Sequence, residues 1–245
     1  MRSLVILPTY NEAPNVLPMC RDVLAQDDTL EVLVVDDNSP DGTGDLVAEA
    51  ATSESRIHLL RRPAKEGLGR AYQAGFRHGL DAGFDLILTM DCDYSHHPRY
   101  LPQMLDRAKE ADLVIGSRYV RGGGVADWPK RRQLLSRFAN LYTRLLLRVP
   151  VNDCTAGFRC YRREVLLHVA PFDIEASGYA FLEEMVWRVQ RAGFRIREVP
   201  IVFEDRTHGV SKIDQREIYR AAWHVLATAF RPSPVERYAP RGDAG

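Results

Sequence analysis

The sequence predicts an α/β fold, a mostly parallel β-sheet flanked by helices on both faces. Three observations predict it. Short β-branched runs alternate with segments whose apolar residues recur at helical spacing. Polar and acidic clusters follow the strand candidates. The 245 residues, 45% of them hydrophobic, are enough for a sizeable core in one large domain or two smaller ones. Strands that alternate with helices pair in parallel, and ligands bind beyond the carboxyl ends of such strands.

In chain order, Ser3–Leu7, Glu31–Val35, Arg56–Leu60, Leu86–Met90 and Leu113–Ile115 are the strand candidates, with helices over Ala13–Ala25, Thr43–Ala51, Leu68–Ala82 and Pro98–Glu110. The first strand runs into Pro8-Thr9-Tyr10-Asn11-Glu12, the second into Asp36-Asp37-Asn38-Ser39-Pro40-Asp41-Gly42 and the fourth into Asp91-Cys92-Asp93. After Gly116 the pattern changes to a Gly122-Gly123-Gly124 loop, a basic helix over Gln133–Arg148, the stretch Asp153–Arg163, a last strand near Arg195–Val199 and a last helix over Ile218–Phe230. No linker-like composition divides the chain, so residues 1–231 are expected to form a single domain. The segment 232–245, with three prolines and two glycines, is expected to be a disordered tail.

Composition excludes several classes. The four cysteines (Cys20, Cys92, Cys154, Cys160) form no CxxC pair, which argues against a disulfide scaffold or a zinc site and fits a reducing compartment. The opening MRSLVILPTYNE is too short an apolar run for a signal peptide. No stretch approaches the ~18 apolar residues of a spanning helix; the longest candidate, Ala221–Phe230, contains His224. The chain is expected to lie on a membrane at most. Net charge is zero, yet Arg118–Arg163 holds eleven basic residues against Asp127 and Asp153. Such a block suits a phosphate-bearing partner or an anionic surface, or is a solvated basic face.

The central chemical signal is Asp91-x-Asp93. Residues i and i+2 share a face of a strand, so both carboxylates are expected to hold one Mg²⁺ or Mn²⁺ together with substrate phosphates. Asp36 and Asp37 end a second strand nearby. Paired buried carboxylates with no cation repel each other, which disfavours a purely structural role. His96-His97 precede Pro98 at a helix start and are expected to cap or to face solvent rather than bind metal. Gly67-x-Gly69 is not a dinucleotide fingerprint, because Tyr72 stands where the third glycine belongs. A phosphoacceptor receiver domain built on Asp36-Asp37 would use half this length and leave Asp91-x-Asp93 idle. Arg206 and Lys212 flank Gly209 in a spacing that suits the grip of a phosphate, or they are solvated loop residues. In Gln133–Arg148, residues Arg137, Asn140, Arg144 and Arg148 fall on one face, and Leu134, Phe138, Tyr142 and Leu145 toward the other. That helix lies in a membrane interface or packs on its own sheet; the last helix, with Trp223 and Phe230, has the same two options.

Together these motifs closely resemble the polyprenol-phosphate (dolichol-phosphate) mannosyltransferases, inverting enzymes of glycosyltransferase family 2. The resemblance runs from Leu4 to about Phe230. Its carriers are Pro8-Thr9-Tyr10-Asn11-Glu12, Val35-Asp36-Asp37-Asn38-Ser39-Pro40-Asp41-Gly42-Thr43, Lys65-x-Gly67-Leu68-Gly69 and Met90-Asp91-Cys92-Asp93-Tyr94-Ser95-His96-x-Pro98. They continue with Gly116-Ser117-Arg118-Tyr119, the glycine loop with Trp128, Ser136-Arg137-x-Ala139-Asn140, Asp153-x-Thr155-x-Gly157-Phe158-Arg159 and Phe203-x-x-Arg206-x-x-Gly209-x-Ser211-Lys212.

The resemblance implies a GT-A, Rossmann-like, mostly parallel sheet with amphipathic helices toward the C-terminus. It implies that Pro8, Tyr10, Glu12, Val35 and Asp37 cradle the guanine nucleotide of GDP-mannose, with the backbone around Cys92 near it. Asp91 and Asp93 would bind the Mg²⁺ or Mn²⁺, and Ser95 stands where a third ligand is placed. Arg118, Arg132, Arg206 and Lys212 would meet phosphates of donor or acceptor, and Glu184 stands where related hydroxyl-glycosylating enzymes keep a base but is expected here to serve positioning. The acceptor, a polyprenol monophosphate with a second pKa near 6, is already anionic at neutral pH and needs no general base. Its lipid tail implies peripheral attachment to the cytoplasmic face of a membrane through the basic and terminal helices, with room for a membrane-anchored partner subunit and none for nucleic acid. Transfer of glucose from UDP-glucose, or a catalytically silent nucleotide-sugar-binding subunit, are the rival expectations.

Overall fold

The computed structural model describes residues 1–204 and 215–239. In chain order its strands are β1 (Ser3–Thr9), β2 (Leu30–Asp36), β3 (Ile57–Arg61), β4 (Leu86–Thr89), β5 (Leu113–Ser117), β6 (Gly124–Val125), β7 (Arg159–Arg162), β8 (Ile196–Pro200) and β9 (Val202–Phe203). Seven of them form one sheet in the order β3-β2-β1-β4-β7-β5-β8, and β6 pairs with β9 separately. Every neighbour in the large sheet is parallel except β7, which runs antiparallel to both β4 and β5.

The helices are α1 (Val16–Leu24), α2 (Thr43–Ala51), α3 (Leu68–Asp81), α4 (Leu101–Arg107), α5 (Lys130–Leu147), α6 (Arg163–His168), α7 (Gly178–Ala192) and α8 (Gln215–Phe230). Alternation along the strands builds a core on each face of the sheet. Leu4, Ile6, Leu33, Val35 and Ile87 pack against α3, α6 and α7. Val5, Leu7, Val32, Val34 and Leu88 pack against α1, α2 and α4. No helix among the described residues is long and apolar enough to cross a membrane.

The six expected strands all form, each end within two residues of its expected place. The expected helix over Ala13–Ala25 begins only at Val16, because Ala13–Asn15 makes a turn in which the Ala13 N–H donates to Asp41 Oδ2. The helix expected from Pro98 opens as a 3-10 turn over Pro98–Tyr100 and ends at Arg107. β7 and α7 are among the elements that were not legible. β7 reads Arg-Cys-Tyr-Arg, without an apolar alternation, yet its Arg159 is fully buried. α7 is buried almost all round, Glu183, Glu184 and Arg188 included, so it has no polar stripe to betray it.

α5 is inverted relative to an ordinary surface helix. It buries Asn140 and Thr143 and exposes Leu134 (68%), Phe138 (65%), Leu141 and Leu145. The cause is hydrogen bonding. Asn140 Oδ1 accepts from the Cys154 N–H at 2.7 Å, and Thr143 Oγ1 donates to Glu183 Oε1 at 2.7 Å. α8 lies alongside, with Tyr142 donating to the Ala222 carbonyl and with Tyr219, Trp223 and Phe230 exposed.

Residues 232–239, the described part of the segment expected to be a disordered tail, make specific contacts in the structure. Tyr238 stacks on Phe194 with ring centroids 4.5 Å apart and donates its N–H to the Ala192 carbonyl, and His168 Nε2 lies 2.9 Å from the Glu236 carbonyl. Two proline-bounded residues, Val235 and Tyr238, supply apolar area that composition alone undervalues. Residues 240–245 lie outside the described residues.

Glu184 ties these C-terminal elements together. Its Oε1 accepts from Arg188 Nε and Nη2 and from Arg231 Nη2, and its Oε2 lies 2.6 Å from His224 Nε2. Burial pushes this carboxyl up, but His224, Arg188 and Arg231 outweigh it and hold the pKa at about 2. Glu184, expected as a positioning residue at the place where related enzymes keep a base, is in the structure an anion shared by three basic side chains. Because its folded pKa lies below the ordinary 4.5, its stabilisation is present above that pH and is lost as pH falls toward 2. Glu184→Ala leaves Arg188 buried without a counter-charge and is expected to cost about 3–5 kcal/mol. Urea midpoints measured from pH 7 down to 2.5 check both, and the variant's stability should fall less steeply below pH 4.5.

Candidate active site

The carboxyl ends of β1, β2 and β4 lie side by side, so their three turns share one edge of the sheet. The first two interlock. The Asn11 N–H donates to Ser39 Oγ, the Glu12 N–H to Thr43 Oγ1 and the Ala13 N–H to Asp41 Oδ2. Asp36, almost fully buried, accepts from Thr9 Oγ1 and from both the hydroxyl and the N–H of Ser39. Asp36 is thus the strut of this cradle.

Asp37 Oδ1 accepts from Arg62 Nη1 at 2.7 Å. Strand register brings them together: Asp36 lies opposite Arg61, so the next residue on each strand meets beyond the sheet. Burial raises the Asp37 pKa despite Arg62. Tyr10 is exposed beside this pair, with Lys65 Nζ 4.1 Å from its ring centre. Pro8 and Glu12 flank the same turn, and Glu12 Oε2 accepts from Asn15. The Val35 side chain is fully buried in the core, so Val35 presents only its backbone at this edge. A lone arginine closing the third strand offered no signal, so Arg62 was missed.

The strand-face argument for Asp91 and Asp93 is corrected by the structure. β4 ends at Thr89, and both carboxylates stand in the turn beyond it. There the turn is built by hydrogen bonds. The Asp91 N–H donates to His96 Nδ1 at 3.0 Å, and the Ser95 N–H donates to Asp93 Oδ1 at 3.1 Å. The Asp91 side chain is 31% exposed, whereas Asp93 and Cys92 are buried. Ser95 Oγ is buried and makes no hydrogen bond. His97 caps the 3-10 turn, accepting from the Arg99 N–H, as its place before Pro98 implies. His96 corrects the surface expectation. It is buried between Phe158 and Phe203 and positions Asp91.

Across the edge stands a cationic and aromatic wall. Arg132 lies 3.9 Å from the ring centre of Trp128, which packs edge-on to Phe203, and Arg118 lies 5.5 Å from both rings. The fork of Arg118 closes on Asp153, with Nε to Oδ2 at 2.7 Å and Nη2 to Oδ1 at 2.6 Å, and its own N–H adds a third bond. Arg118, expected to meet a substrate phosphate, is in the structure paired with a fully buried carboxylate. Burial works against the Arg118 charge, and Asp153 overcomes it and raises the pKa. Arg206 and Lys212 lie outside the described residues.

Among the described residues no group of three or more His, Cys, Asp or Glu side chains could hold a metal. Two neighbouring carboxylates with a buried, unpartnered hydroxyl beside them suit a hard cation that draws its remaining ligands from phosphate and water.

Acidic turns along the carboxyl edge of a mostly parallel sheet, facing a wall of arginines, define a GT-A class of fold. The chain belongs to glycosyl transferase family 2, whose sequence model matches residues 4–169. It is 46% identical over 232 residues to a polyprenol monophosphomannose synthase of Mycolicibacterium smegmatis, covering 94% of this chain and 88% of that one. It is 47% identical over 216 residues to an undecaprenyl-phosphate mannosyltransferase of Micrococcus luteus, covering 87% and 88%. A mannosyltransferase from Pyrobaculum calidifontis, solved with GDP-Man and Mn²⁺, shares the fold at a TM-score of 0.60 and 21% identity, over 96% of this chain and 65% of that one.

The Arg118–Asp153 pair gives a direct test of what Arg118 does. Arg118→Ala leaves Asp153 buried and uncompensated and is expected to lower unfolding stability by about 3–5 kcal/mol. Chemical denaturation checks this; a residue whose only partner was a substrate phosphate would leave the midpoint unmoved.

Proposed function

We propose that this chain is an inverting mannosyltransferase that moves mannose from GDP-mannose to a polyprenyl monophosphate, yielding polyprenyl β-mannosyl phosphate and GDP. The observation that carries the reading is the likeness, at 46–47% identity over most of the chain, to two enzymes named for mannosyl transfer to polyprenyl phosphates. The site agrees in its chemistry. Tyr10 with Lys65, and Asp37 with Arg62, offer a stacking face and an acceptor carboxylate for a nucleobase. Pro8, Glu12, the Val35 backbone and the buried Cys92 complete that cradle.

Asp91 and Asp93 would hold the Mg²⁺ or Mn²⁺, with the Ser95 hydroxyl beside them. When bound, the cation neutralises negative charge that develops on the departing diphosphate. The chain's own residues draw two anions together. Arg132, the basic α5 and, by the spacing of the sequence, Arg206 and Lys212 supply positive charge for the donor diphosphate and the acceptor phosphate. The acceptor is an anionic nucleophile at neutral pH, so no proton need be removed and no base is required. Attack opposite the leaving diphosphate turns the α-linked sugar into the β product.

The acceptor's lipid tail calls for a membrane surface. The outward apolar face of α5, continued by Tyr219, Trp223 and Phe230 of α8 and bordered by Arg137, Arg144 and Arg148, is suited to peripheral attachment to an anionic leaflet on the cytoplasmic side, where a membrane-anchored partner subunit would have its place.

Transfer of radiolabelled mannose from GDP-mannose into an organic-extractable polyprenyl phosphate tests the reaction, run with and without Mg²⁺ or Mn²⁺ and beside UDP-glucose. Metal-dependent mannolipid is expected; label from UDP-glucose alone overturns the sugar assignment, and no transfer overturns the activity. Asp91→Ala is expected to lower the rate by more than about a hundredfold, beyond what loss of a merely supporting partner causes, with an unchanged melting temperature. Phe138→Ser with Trp223→Ser removes two exposed aromatics and is expected to weaken binding to anionic vesicles by about tenfold or more in cosedimentation. Unchanged binding overturns the docking face.

A further inference from the structure

Arg62 stands just beyond β3, and its side chain and that of Asp37 are each only 8% exposed. Its guanidinium is held at both ends. Nη1 donates to Asp37 Oδ1 at 2.7 Å, and Nη2 donates to Glu66 Oε2 at 2.6 Å. The turns themselves do not need this pair. The Asp37 N–H already donates to the Thr9 carbonyl at 3.0 Å, and the Arg62 N–H to the Asp36 carbonyl at 2.8 Å. Nor does stability call for it, because a buried ion pair is often no better than two packed apolar side chains. Among the described residues the second oxygen of Asp37, Oδ2, accepts no hydrogen bond, and it is not one of the fully enclosed polar atoms. The pair therefore leaves one open acceptor on the edge that also carries the ring of Tyr10 and the ammonium of Lys65. The neighbouring turns bring Asp36, Glu12 and Glu66 to this edge as well. Burial pushes the Asp37 carboxyl up and Asp36 adds to that, while Arg62 and Lys65 work to keep it ionised.

We propose that Arg62 is a positioning residue for nucleobase recognition: by occupying Asp37 Oδ1 it fixes the carboxylate and leaves Oδ2 as the acceptor for a ring N–H of the donor's base. Arg62 acts through Asp37 and touches no ligand. The class of base this selects is one with a ring N–H on its pairing edge, as guanine and uracil have and adenine lacks. A fixed acceptor left unpaired disfavours a base that cannot donate to it. The inference rests on the reading of this edge as the seat of the GDP-mannose base.

The test is calorimetric binding of GDP to the purified chain in the presence of Mn²⁺. Arg62→Gln is expected to weaken GDP binding by about tenfold at neutral pH, the scale of one hydrogen bond to a charged group. The gap should widen as pH falls from about 8 to about 5.5, because Asp37 without Arg62 takes up a proton more readily and then accepts no N–H. Arg62→Lys, which keeps the charge but not the fork, should recover part of the loss. The KM for GDP-mannose should rise in step, with kcat and the KM for the polyprenyl phosphate unmoved. In an Asp37→Asn background, Arg62→Gln should weaken GDP binding no further, since both changes act on the same contact. That double variant is neutral at both positions, so together with Arg62→Lys it carries the comparison if Arg62→Gln alone does not fold. GDP affinity of the Arg62 variants within about twofold of wild type, against the tenfold expected of a lost charged hydrogen bond, overturns the proposal. So does a loss that is the same at every pH, or losses that multiply in the double variant. A wild-type chain that binds no GDP overturns instead the nucleotide reading beneath it.

Discussion

The ion pair between Arg118 and Asp153 is the interaction on which the site depends. Asp153 is fully buried, so its charge is tolerable only with close compensation, and Arg118 provides it through its fork and its own N–H. The pair joins the end of β5 to the loop that enters β7. Glu198 on β8 pins the same loop by accepting from the N–H groups of Asn152 and Asp153, and Asn140 of α5 accepts from Cys154. Because β7 is antiparallel, this loop arrives at the carboxyl edge of the sheet, and Gly157 comes to lie beneath Asp91. Arg159, fully buried, holds the loop from inside by donating to the carbonyls of Cys154, Ala156 and Leu182. Loss of the pair would leave a buried charge and release the floor of the site together.

The same network explains why α5 presents its apolar side outward. Its inner face is committed to hydrogen bonds with the Asp153–Thr155 loop and with Glu183, whose pKa burial raises to about 7 against the Thr143 hydrogen bond. An ordinary helix would turn Leu134, Phe138 and Leu145 toward the sheet. Here polar satisfaction inside outweighs that preference, and the apolar residues remain on the surface beside the apolar face of α8.

Much of this was legible in the sequence, and the remainder was not for identifiable reasons. The parallel strands are β-branched runs with helical segments between them, and the residues that follow them stand where the chemistry gathers. The +9 segment from Arg118 to Arg163 pointed to an anion, and Arg118 within it also pairs with Asp153. Arg62 and Tyr72 carried no local signal, and nothing local marked His96 for burial. Arg62 becomes the partner of Asp37 through the register of β2 and β3, and Tyr72 meets Gly157 from eighty-five residues away in the chain. In the tail, composition registers the prolines and glycines but not the ring of Phe194 on which Tyr238 stacks.

The sequence by itself determined the alternation of strands and helices, the acidic turns at strand ends and the resemblance of ordered motifs, since each depends on residue types a few positions apart. The tertiary structure decided that β7 inserts antiparallel, which carboxylates are struts and which stand open, and which way α5 faces. Those outcomes turn on partners dozens of residues apart. A buried charge or hydroxyl accepts only the geometry in which its partner arrives, and only the assembled sheet brings that partner within reach.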